Sequence, residues 1–483
     1  MSRVACGCEP RVATPRGSDV VGLIVAGFDV AVVGGGPAGL AAAQELLHSG
    51  ATVAVIDENY EFGGQYYRRR EAEFAARYGD YRPDGSELVT AIRAGAATCL
   101  TNTAVWGTEN GYLWTSHSPT GTVARLQAKS VLLATGAHER VIPFPGWTLP
   151  GVCTPGLALH LAAMERVAVG RRVVLAGTGA FLLSVAASLI DVGVKPLAVL
   201  EYNKPYRARS DAFTAVRHFA RMRELAGYFM KLRRHGVPIR QGWRIAEAGG
   251  NTQVESVTVE RTVGNAERME LAVDALCVGF GFRPNVELAR LLGCACSWDA
   301  VAGEAVVVTD AFGRTSIDGV YAAGEVRGIA GVQAAMVEGR LSARTILSDL
   351  GRKGIPSSDR ILQKSQKLRR FATLMSNVYR LPDAAYVAIE DRTIVCRCES
   401  VTAEQIRGAA RTGWNNINAV KSATRAGMGV CQGRLCATTV ARLVVAEGSN
   451  RGLSDLYAAD EFFNTRMPLK PVPVLDFLSG NPD

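Results

Sequence analysis

The hydrophobic pattern of the chain is clearest near its start, where two apolar runs flank a stretch with helical spacing. The runs cover residues 30–33 and 53–56, and a glycine-rich turn separates the first run from the helical stretch. Short apolar runs bounded by turn residues indicate buried strands, and a 3.6-residue period indicates a helix. The pattern predicts a strand, a turn, a helix and a second strand that ends at Asp57.

The same order of elements begins again at Arg172, where an apolar run leads into Gly177-x-Gly179 and a second helical stretch. Two strand-turn-helix units at this spacing predict two doubly wound, Rossmann-like domains in an α/β protein. Further extended runs are expected over 131–137, 274–285 and 315–325, and a helix over 333–347.

The first glycine turn has the residues that a bound dinucleotide needs. Gly34 permits the tight turn, Gly36 leaves the backbone open to a pyrophosphate, and Gly39 lets the helix pack on the first strand. Phosphates would lie on the helix N-terminus, and the acid after the second strand would bind ribose hydroxyls. A purely structural glycine turn is the alternative. The predicted cofactor-binding residues here are Gly34, Gly36, Pro37, Ala38, Gly39, Asp57 and Glu58.

The second glycine turn is less complete, because Leu182 occupies the position of the third small residue. A bulky side chain there would push the helix away from the strand. Glu201 would repel a 2′-phosphate, which favours NAD or another adenine nucleotide over NADP. Gly177, Gly179 and Glu201 are the predicted residues. Three states stay open: a nicotinamide site, a site for another nucleotide, and a fold without a ligand.

Four of the eleven cysteines form two tight pairs near the end of the chain, Cys396-x-Cys398 and Cys431-x4-Cys436. Two thiolates on each of two loops can hold a 2Fe-2S cluster. Structural zinc sites favour a C-x2-C spacing that neither pair has, so zinc and unligated thiols are the weaker alternatives. The nearby arginines, which would oppose the negative charge of a cluster, are Arg397, Arg425 and Arg434.

Helices are expected on both sides of this cysteine module. Thr402 and Gln405 have the spacing of a capping box, and a helical stretch begins at Cys436. Cys6-x-Cys8 is interpreted as an incidental pair. The remaining cysteines stand mostly in apolar surroundings and are predicted to be core residues: Cys99, Cys153, Cys277, Cys294 and Cys296.

Composition narrows the class of protein. The chain has 483 residues, which is too long for a single compact core, and its 48% hydrophobic and 20% charged residues are typical of a globular protein. The net charge of +9 is too modest to indicate nucleic-acid binding. No run reaches the ~20 apolar residues that span a bilayer, and the first residues lack the apolar core of a secretory signal. We expect a cytoplasmic protein, with peripheral membrane association left open.

A basic segment interrupts the second domain. Residues 204–244 carry eleven Lys or Arg against Asp211 and Glu224. The first interpretation is a solvent-exposed helix face, and the alternative is a docking surface for an acidic electron-transfer partner.

The order of these motifs resembles the alpha subunit of heteromeric FAD-dependent amine and amino-acid dehydrogenases of bacteria. That family includes opine oxidases, proline and hydroxyproline dehydrogenases and the middle subunit of hydrogen cyanide synthase, and the cysteine module is similar to bacterioferritin-associated ferredoxin. The resemblance spans nearly the whole chain and implies FAD at the first turn, with the second domain inserted in the first. It also implies flavin contacts for Gly64, Gln65, Ala134, Thr135, Gly136, Gly324, Glu325 and Gln333.

The resemblance and the pattern together give the expected domain organisation. The boundaries are a tail over 1–27, an FAD domain over 28–145 and 271–350, a second nucleotide domain over 146–270, a linker over 351–390, a 2Fe-2S domain over 391–450 and a tail over 451–483.

The resemblance further implies a separate FAD-containing beta subunit that oxidises the C–N bond of an opine or an amino acid, and often a small ferredoxin-like gamma subunit. Whether FMN binds at the subunit interface is left open. The residues agree on one point, since no acid/base or nucleophile constellation indicates a self-sufficient substrate site. His138 is interpreted as a hydrogen-bonding loop residue and not as a catalyst.

These observations favour an electron-transfer subunit that passes electrons through flavin and a 2Fe-2S cluster. A self-contained NADH-dependent reductase and an iron–sulfur module that docks on ferritin are the alternatives.

Overall fold

The computed structural model describes residues 23–204, 219–262, 267–414, 416–447, 452–458 and 462–473. Two predicted features lie wholly or partly outside these ranges: the Cys6-x-Cys8 pair, and the basic segment 204–244 over residues 205–218.

The described chain contains strands and helices throughout. The strands are β1 (Leu23–Val33), β2 (Val53–Ile56), β3 (Thr98–Leu100), β4 (Thr103–Glu109), β5 (Tyr112–His117), β6 (Thr122–Leu133), β7 (Ala137–Glu139), β8 (Val152–Cys153), β9 (Val173–Gly177), β10 (Ala198–Glu201), β11 (Ile239–Gln241), β12 (Trp243–Gly249), β13 (Ser256–Arg261), β14 (Arg268–Ala272), β15 (Ala275–Gly279), β16 (Phe282–Pro284), β17 (Cys296–Asp299), β18 (Glu304–Val307), β19 (Val320–Ala322), β20 (Ile394–Cys396) and β21 (Val401–Thr402). The α-helices are α1 (Pro37–His48), α2 (Ala72–Tyr78), α3 (Pro83–Ala94), α4 (Pro155–His160), α5 (Phe181–Asp191), α6 (Phe219–Arg234), α7 (Glu287–Leu291), α8 (Val332–Asp349), α9 (Asp359–Val378), α10 (Ala384–Val387), α11 (Ala403–Arg411), α12 (Ile417–Thr424), α13 (Ala437–Ala446) and α14 (Leu453–Ala458).

The first domain is built on a seven-stranded sheet in the order β3-β2-β1-β6-β5-β4, with β19 also paired to β6. β1 runs parallel to β2 and β6, and β19 runs parallel to β6, whereas β5 is antiparallel to both β4 and β6. Because parallel strands are covered on both faces, the residues of β1 from Val30 to Val32 are fully buried. β1 starts at Leu23, ahead of the boundary expected at residue 28, because its first residues pair with 124–126 of the long strand β6.

The second domain is built on a parallel sheet in the order β11-β10-β9-β15-β8, with a three-stranded antiparallel sheet, β12-β13-β14, beside it. The chain leaves the first domain at β7 and returns at β16, and these two strands pair side by side. The predicted fold, two Rossmann-like domains with the second inserted in the first, is confirmed.

The cysteine module consists of the short pair β20–β21 and the helices α11 to α13. The expected capping box is present, since Thr402 accepts a hydrogen bond from the Gln405 backbone while the Gln405 side chain accepts one from the Thr402 backbone. Buried residues of the module, such as Val395 and Val440, share one hydrophobic cluster with Trp147 and Trp243 of the second domain. The module is therefore packed against the nucleotide-binding fold.

The segments expected to be a linker and a tail are folded where they are described. Residues 351–390 contain two helices and not the single one expected, and α9 packs against α8 of the first domain. Beyond the module, Phe462, Phe463 and Leu469 are buried. Among the described helices, none has both the length and the apolar character required to cross a membrane.

Candidate dinucleotide and iron–sulfur sites

The first glycine turn is shaped by close backbone contacts. Gly34 has φ +108°, and a Cβ atom there would lie 2.2 Å from the carbonyl oxygen of Ala134. A Cβ at Gly39 would lie 1.9 Å from the carbonyl oxygen of Gly34, so both positions require glycine. At Gly36, which starts α1, a Cβ would meet nothing nearer than 3.8 Å. The helix N-terminus is thus open to an anionic ligand, as the sequence predicts.

Asp57 holds the first glycine turn in place. One carboxylate oxygen accepts a hydrogen bond from the Gly35 backbone at 2.7 Å, and the other accepts two from Asn59 at 2.8 Å. Asp57 and Glu58 also line the large cavity described below. The acid therefore fixes the turn and borders the space where a ribose would bind.

The segment that ends at Gly324 and Glu325, named here the second flavin fingerprint because the resemblance assigns it to the flavin, is fixed by backbone contacts. The carboxylate of Glu325 accepts hydrogen bonds from the backbone of Gly331 at 2.7 Å and Ala330 at 3.3 Å, just ahead of α8. Burial raises the pKa of Glu325. One oxygen of this carboxylate is thus held by the backbone just before α8, and the flavin contact that the resemblance implies for Glu325 stays a prediction. Glu325 and Gln333 both line the cavity.

Sequence reasoning missed the residues that hold this fingerprint. Glu338, on α8, is fully buried and accepts a hydrogen bond from the Gly324 backbone at 3.1 Å. Arg369, on α9, donates to both carboxylate oxygens of Glu338 at 2.5 and 2.6 Å. The same guanidinium donates to the carbonyl oxygens of Gly324 and Gly328. The only sequence signal was the basic character of the segment assigned to a linker.

One cavity of about 1260 Å³ joins the predicted sites. Pockets for drug-sized ligands span roughly 300–1,000 Å³, so this space can take a dinucleotide. Most of the predicted residues line it: Gly34, Gly36, Pro37, Ala38, Asp57, Glu58, Gly64, Gln65, Ala134, Thr135, Gly136, Gly179, Glu325, Gln333 and Cys431. The remaining predicted residues do not line it: Gly39, Gly177, Glu201, Gly324, Cys396, Cys398 and Cys436.

The second glycine turn has the same construction as the first. A Cβ at Gly177 would lie 1.7 Å from the carbonyl oxygen of Gly279, while Gly179 faces open space. Glu201 accepts hydrogen bonds from the Thr178 hydroxyl at 2.6 Å and the Gly179 backbone at 3.0 Å, and burial raises its pKa. Leu182 is buried in the core of the domain. The core thus accommodates the bulky side chain, and the turn keeps an open face.

The four cysteines of the module lie in two thiol pairs, Cys396 with Cys436 and Cys398 with Cys431. The contact with Cys436 lowers the pKa of Cys396 to about 6, and the Gly427 backbone, which donates to its sulfur at 3.4 Å, acts in the same direction. Within the described ranges, no three His, Cys, Asp or Glu side chains form a group that could hold a metal ion. Two pairs on facing loops suit a 2Fe-2S cluster, which takes four thiolates on two irons.

Glycines and a helix end shape the cysteine loops. A Cβ at Gly429 would lie 2.2 Å from the Cβ of Cys398, so the loops can approach only because glycine stands there. Cys436 is the N-cap residue of α13, which directs the positive end of that helix toward the thiols, as expected. Arg425 pairs with Glu399, and Arg434 donates to the carbonyl oxygens of Cys431 at 3.3 Å and Leu469 at 2.9 Å.

A short series of hydrogen bonds connects the turn at Thr135, a predicted flavin contact, with the cysteine loop. Thr135 and Asn285 exchange two hydrogen bonds of 2.8 Å. His138 contacts Asn285 at 2.5 Å through Nδ1 and the Arg434 carbonyl at 3.1 Å through Nε2. Burial has the largest effect on the pKa of His138 and lowers it, and the nearby positive charge of Arg283 lowers it further. His138 is therefore a hydrogen-bonding residue that links the two sites.

Comparison with known proteins agrees with this arrangement. The profile of the pyridine nucleotide-disulphide oxidoreductases matches residues 28–339, and that of the BFD-like 2Fe-2S binding domain matches residues 394–445. The A subunit of opine oxidase from Agrobacterium tumefaciens (strain Ach5) is 35% identical over 92% of this chain and 90% of that protein. The HcnB subunit of hydrogen cyanide synthase from Pseudomonas protegens is 30% identical over 92% of this chain and 96% of that protein. The crystal structure of L-proline dehydrogenase from P. horikoshii has a similar fold, with a TM-score of 0.67, 24% identity, and 95% of this chain and 80% of that chain covered.

Proposed function

The chain belongs to the pyridine nucleotide-disulphide oxidoreductase family, and from that premise we propose that it is the electron-transfer subunit of a heteromeric flavin-dependent dehydrogenase. It is a flavin-dependent oxidoreductase subunit with a BFD-like 2Fe-2S domain. The proposal adds that FAD binds at the first glycine turn and that electrons leave through the cluster. Relatives named opine oxidase and hydrogen cyanide synthase subunits support a substrate with a C–N bond, such as an opine or an amino acid.

The shared cavity carries this proposal. It is lined at one side by the first glycine turn and at another by Cys431 of the cysteine loops. Flavin exchanges electrons singly or in pairs, and a 2Fe-2S cluster takes them one at a time. The chain's own residues hold the two sites together, since His138 and Arg283 both contact the carbonyl of Arg434 between Cys431 and Cys436.

The substrate site is proposed to lie on a partner. A catalytic beta subunit with its own FAD would oxidise the substrate, and a ferredoxin-like gamma subunit would complete the complex. The same proposal places FMN at the subunit interface and the complex in the cytoplasm. Relatives of this chain carry the names of subunits, which supports a heteromeric assembly. An adenine nucleotide is proposed for the second glycine turn.

Cofactor analysis and paramagnetic resonance test the electron path. The purified protein should contain flavin and acid-labile sulfide, and anaerobic photoreduction of the flavin should produce the resonance signal of a reduced 2Fe-2S cluster. Cys398→Ser should keep the flavin and lose the sulfide and the signal, because a ligand is removed. Cys99→Ser, a change in the edge strand β3, should keep all three. A wild-type protein without flavin and without sulfide would exclude the proposal.

A self-contained NADH-dependent reductase is the second candidate, because Thr178, Gly179 and Phe181 of the second turn line the same cavity. Stopped-flow mixing with NADH separates the two. We expect the flavin to stay oxidised on the time scale of turnover when NADH is added without a partner. Fast bleaching of the flavin would favour the reductase.

A further inference from the structure

Residues 462–470, named here the C-terminal strap, connect the cysteine loops with the first glycine turn. The strap begins with Phe462 and Phe463, which are both buried. The ring of Phe463 lies so close to Gly427 and Gly433 that a Cβ at either glycine would be 2.3 or 2.5 Å from it. Arg290 donates to the Phe463 carbonyl at 2.8 Å. The beginning of the strap is therefore fixed against the cysteine loops.

The other end of the strap is fixed as well. The backbone N–H of Leu469 donates to the Trp106 carbonyl at 2.7 Å, as an added contact on β4. The Leu469 carbonyl accepts a hydrogen bond from Arg434 at 2.9 Å, and the Leu469 side chain is buried. Because Leu469 is held between β4 and the cysteine loop, the position of Lys470 is set by both.

Lys470 brings a positive charge to the acids that follow β2. Its ammonium forms an ion pair with Glu58. Burial lowers the pKa of Lys470, and the charge of Asp57 opposes that shift. All three residues line the cavity. An ammonium has three N–H donors, and the Glu58 contact uses only part of them.

The position of Lys470 relative to the turn identifies the part of the ligand that it would meet. In this fold the pyrophosphate lies at the glycine turn and the helix N-terminus, and the ribose of the adenosine lies at the acid after the second strand. Ligand atoms beside Asp57 and Glu58 therefore belong to the adenosine half. A positive charge there also offsets two carboxylates that would otherwise repel the pyrophosphate.

We propose that Lys470 is a cofactor-binding residue that donates a hydrogen bond to the adenosine half of the dinucleotide at the first glycine turn. The inference rests on the FAD site of the proposed function and adds a residue from outside both nucleotide-binding domains. It makes the strap selective for FAD over FMN, because FMN lacks the adenosine half. It also makes cofactor retention depend on a segment that is anchored to the cysteine loops.

Flavin release from the full-length holoprotein tests this role. We expect Lys470→Met to raise the rate of FAD release, followed by flavin fluorescence after dilution, about tenfold, the effect of losing one hydrogen bond to a charged donor. Lys470→Arg keeps the charge and should stay within about twofold of wild type, on the same reasoning. Lys353→Met, an exposed lysine outside the cavity lining, is the matched control and should leave the release rate unchanged.

Three results would overturn the inference without affecting the proposed function. The first is an unchanged rate of FAD release in Lys470→Met. The second is a parallel loss of acid-labile sulfide in that variant, which would mean that the strap has left the cysteine loops. The third is an equally large change in the release of FMN from protein reconstituted with FMN. A wild-type protein purified without flavin would instead exclude the proposed function itself.

Discussion

A single carboxylate, Asp29, ties three segments of the first domain together. One oxygen accepts a hydrogen bond from Lys129 at 2.8 Å, and the other accepts from the Thr52 backbone at 3.1 Å and from Arg352 at 2.9 Å. The hydrogen bond from Lys129 has the largest effect and that from the Thr52 backbone the second largest, and they lower the pKa of Asp29 from 3.8 to about 2. Because the folded-state pKa lies below the unfolded one, the stabilisation is complete above pH 3.8 and is lost as the pH falls toward about 2.

Asp29→Asn should therefore lower the melting temperature at neutral pH. We expect the difference from wild type to be constant between roughly pH 7 and pH 5 and to shrink below about pH 4, as measured by circular dichroism at each pH. Asp318→Asn, an exposed aspartate, should show no difference at any pH. A difference that persists undiminished to pH 2 would mean that the charge of Asp29 does not stabilise the fold.

At the scale of elements, α9 holds the second flavin fingerprint in place through Arg369. Arg369 neutralises the buried Glu338 and donates to the carbonyl of Gly324 at 3.0 Å. Removing one partner of a buried ion pair costs about 3–5 kcal/mol when the other charge is left alone, and here Arg327 at 3.6 Å would still offset part of the charge of Glu338. Arg369→Met should thus lower the melting temperature and reduce the flavin content per chain, both of which can be measured on the purified protein.

The neighbouring arginine on the same helix provides the control. Arg370 is exposed, so Arg370→Met should change neither quantity. If Arg369→Met keeps the flavin content and the melting temperature of the wild type, Arg369 does not hold the second flavin fingerprint in place.

At the scale of the whole molecule, a buried carboxylate holds the cysteine module on the first domain. Glu304, on β18, accepts a hydrogen bond from Thr438 of α13 at 2.9 Å. Arg283 and Arg140 approach the same carboxylate at 3.4 and 3.8 Å. The module is thereby oriented by one acid that contacts two arginines and a hydroxyl in the first turn of a helix.

Glu304→Ala should loosen this contact and leave each cofactor in its own site. We expect faster cleavage within residues 351–394 in limited proteolysis and slower appearance of the reduced-cluster signal after flavin photoreduction, with unchanged flavin and sulfide content. Glu404→Ala on the exposed side of α11 is the control and should behave as wild type. Proteolysis and reduction rates equal to those of wild type would show that Glu304 does not orient the module.

Local patterns of residues were enough to predict several elements of the fold. Apolar runs predicted the parallel strands, glycines predicted the turns where a Cβ would collide with backbone, and two closely spaced cysteine pairs predicted the cluster loops. The capping box at Thr402 was equally predictable, because its partners are three residues apart. Each of these signals arises from neighbours along the chain or from the steric limits of one residue.

How these elements pack against one another could not be predicted from local patterns. Glu338 and Arg369, His138 and Arg434, and Lys470 and Glu58 are separated by tens to hundreds of residues, and neither periodicity nor spacing indicates such pairs. The segments expected to be a linker and a tail nevertheless contribute to the cavity, for example through Phe371 and Lys470. Side-chain contacts across such distances depend on the folded path of the whole chain, since they form only after separate elements have been brought side by side.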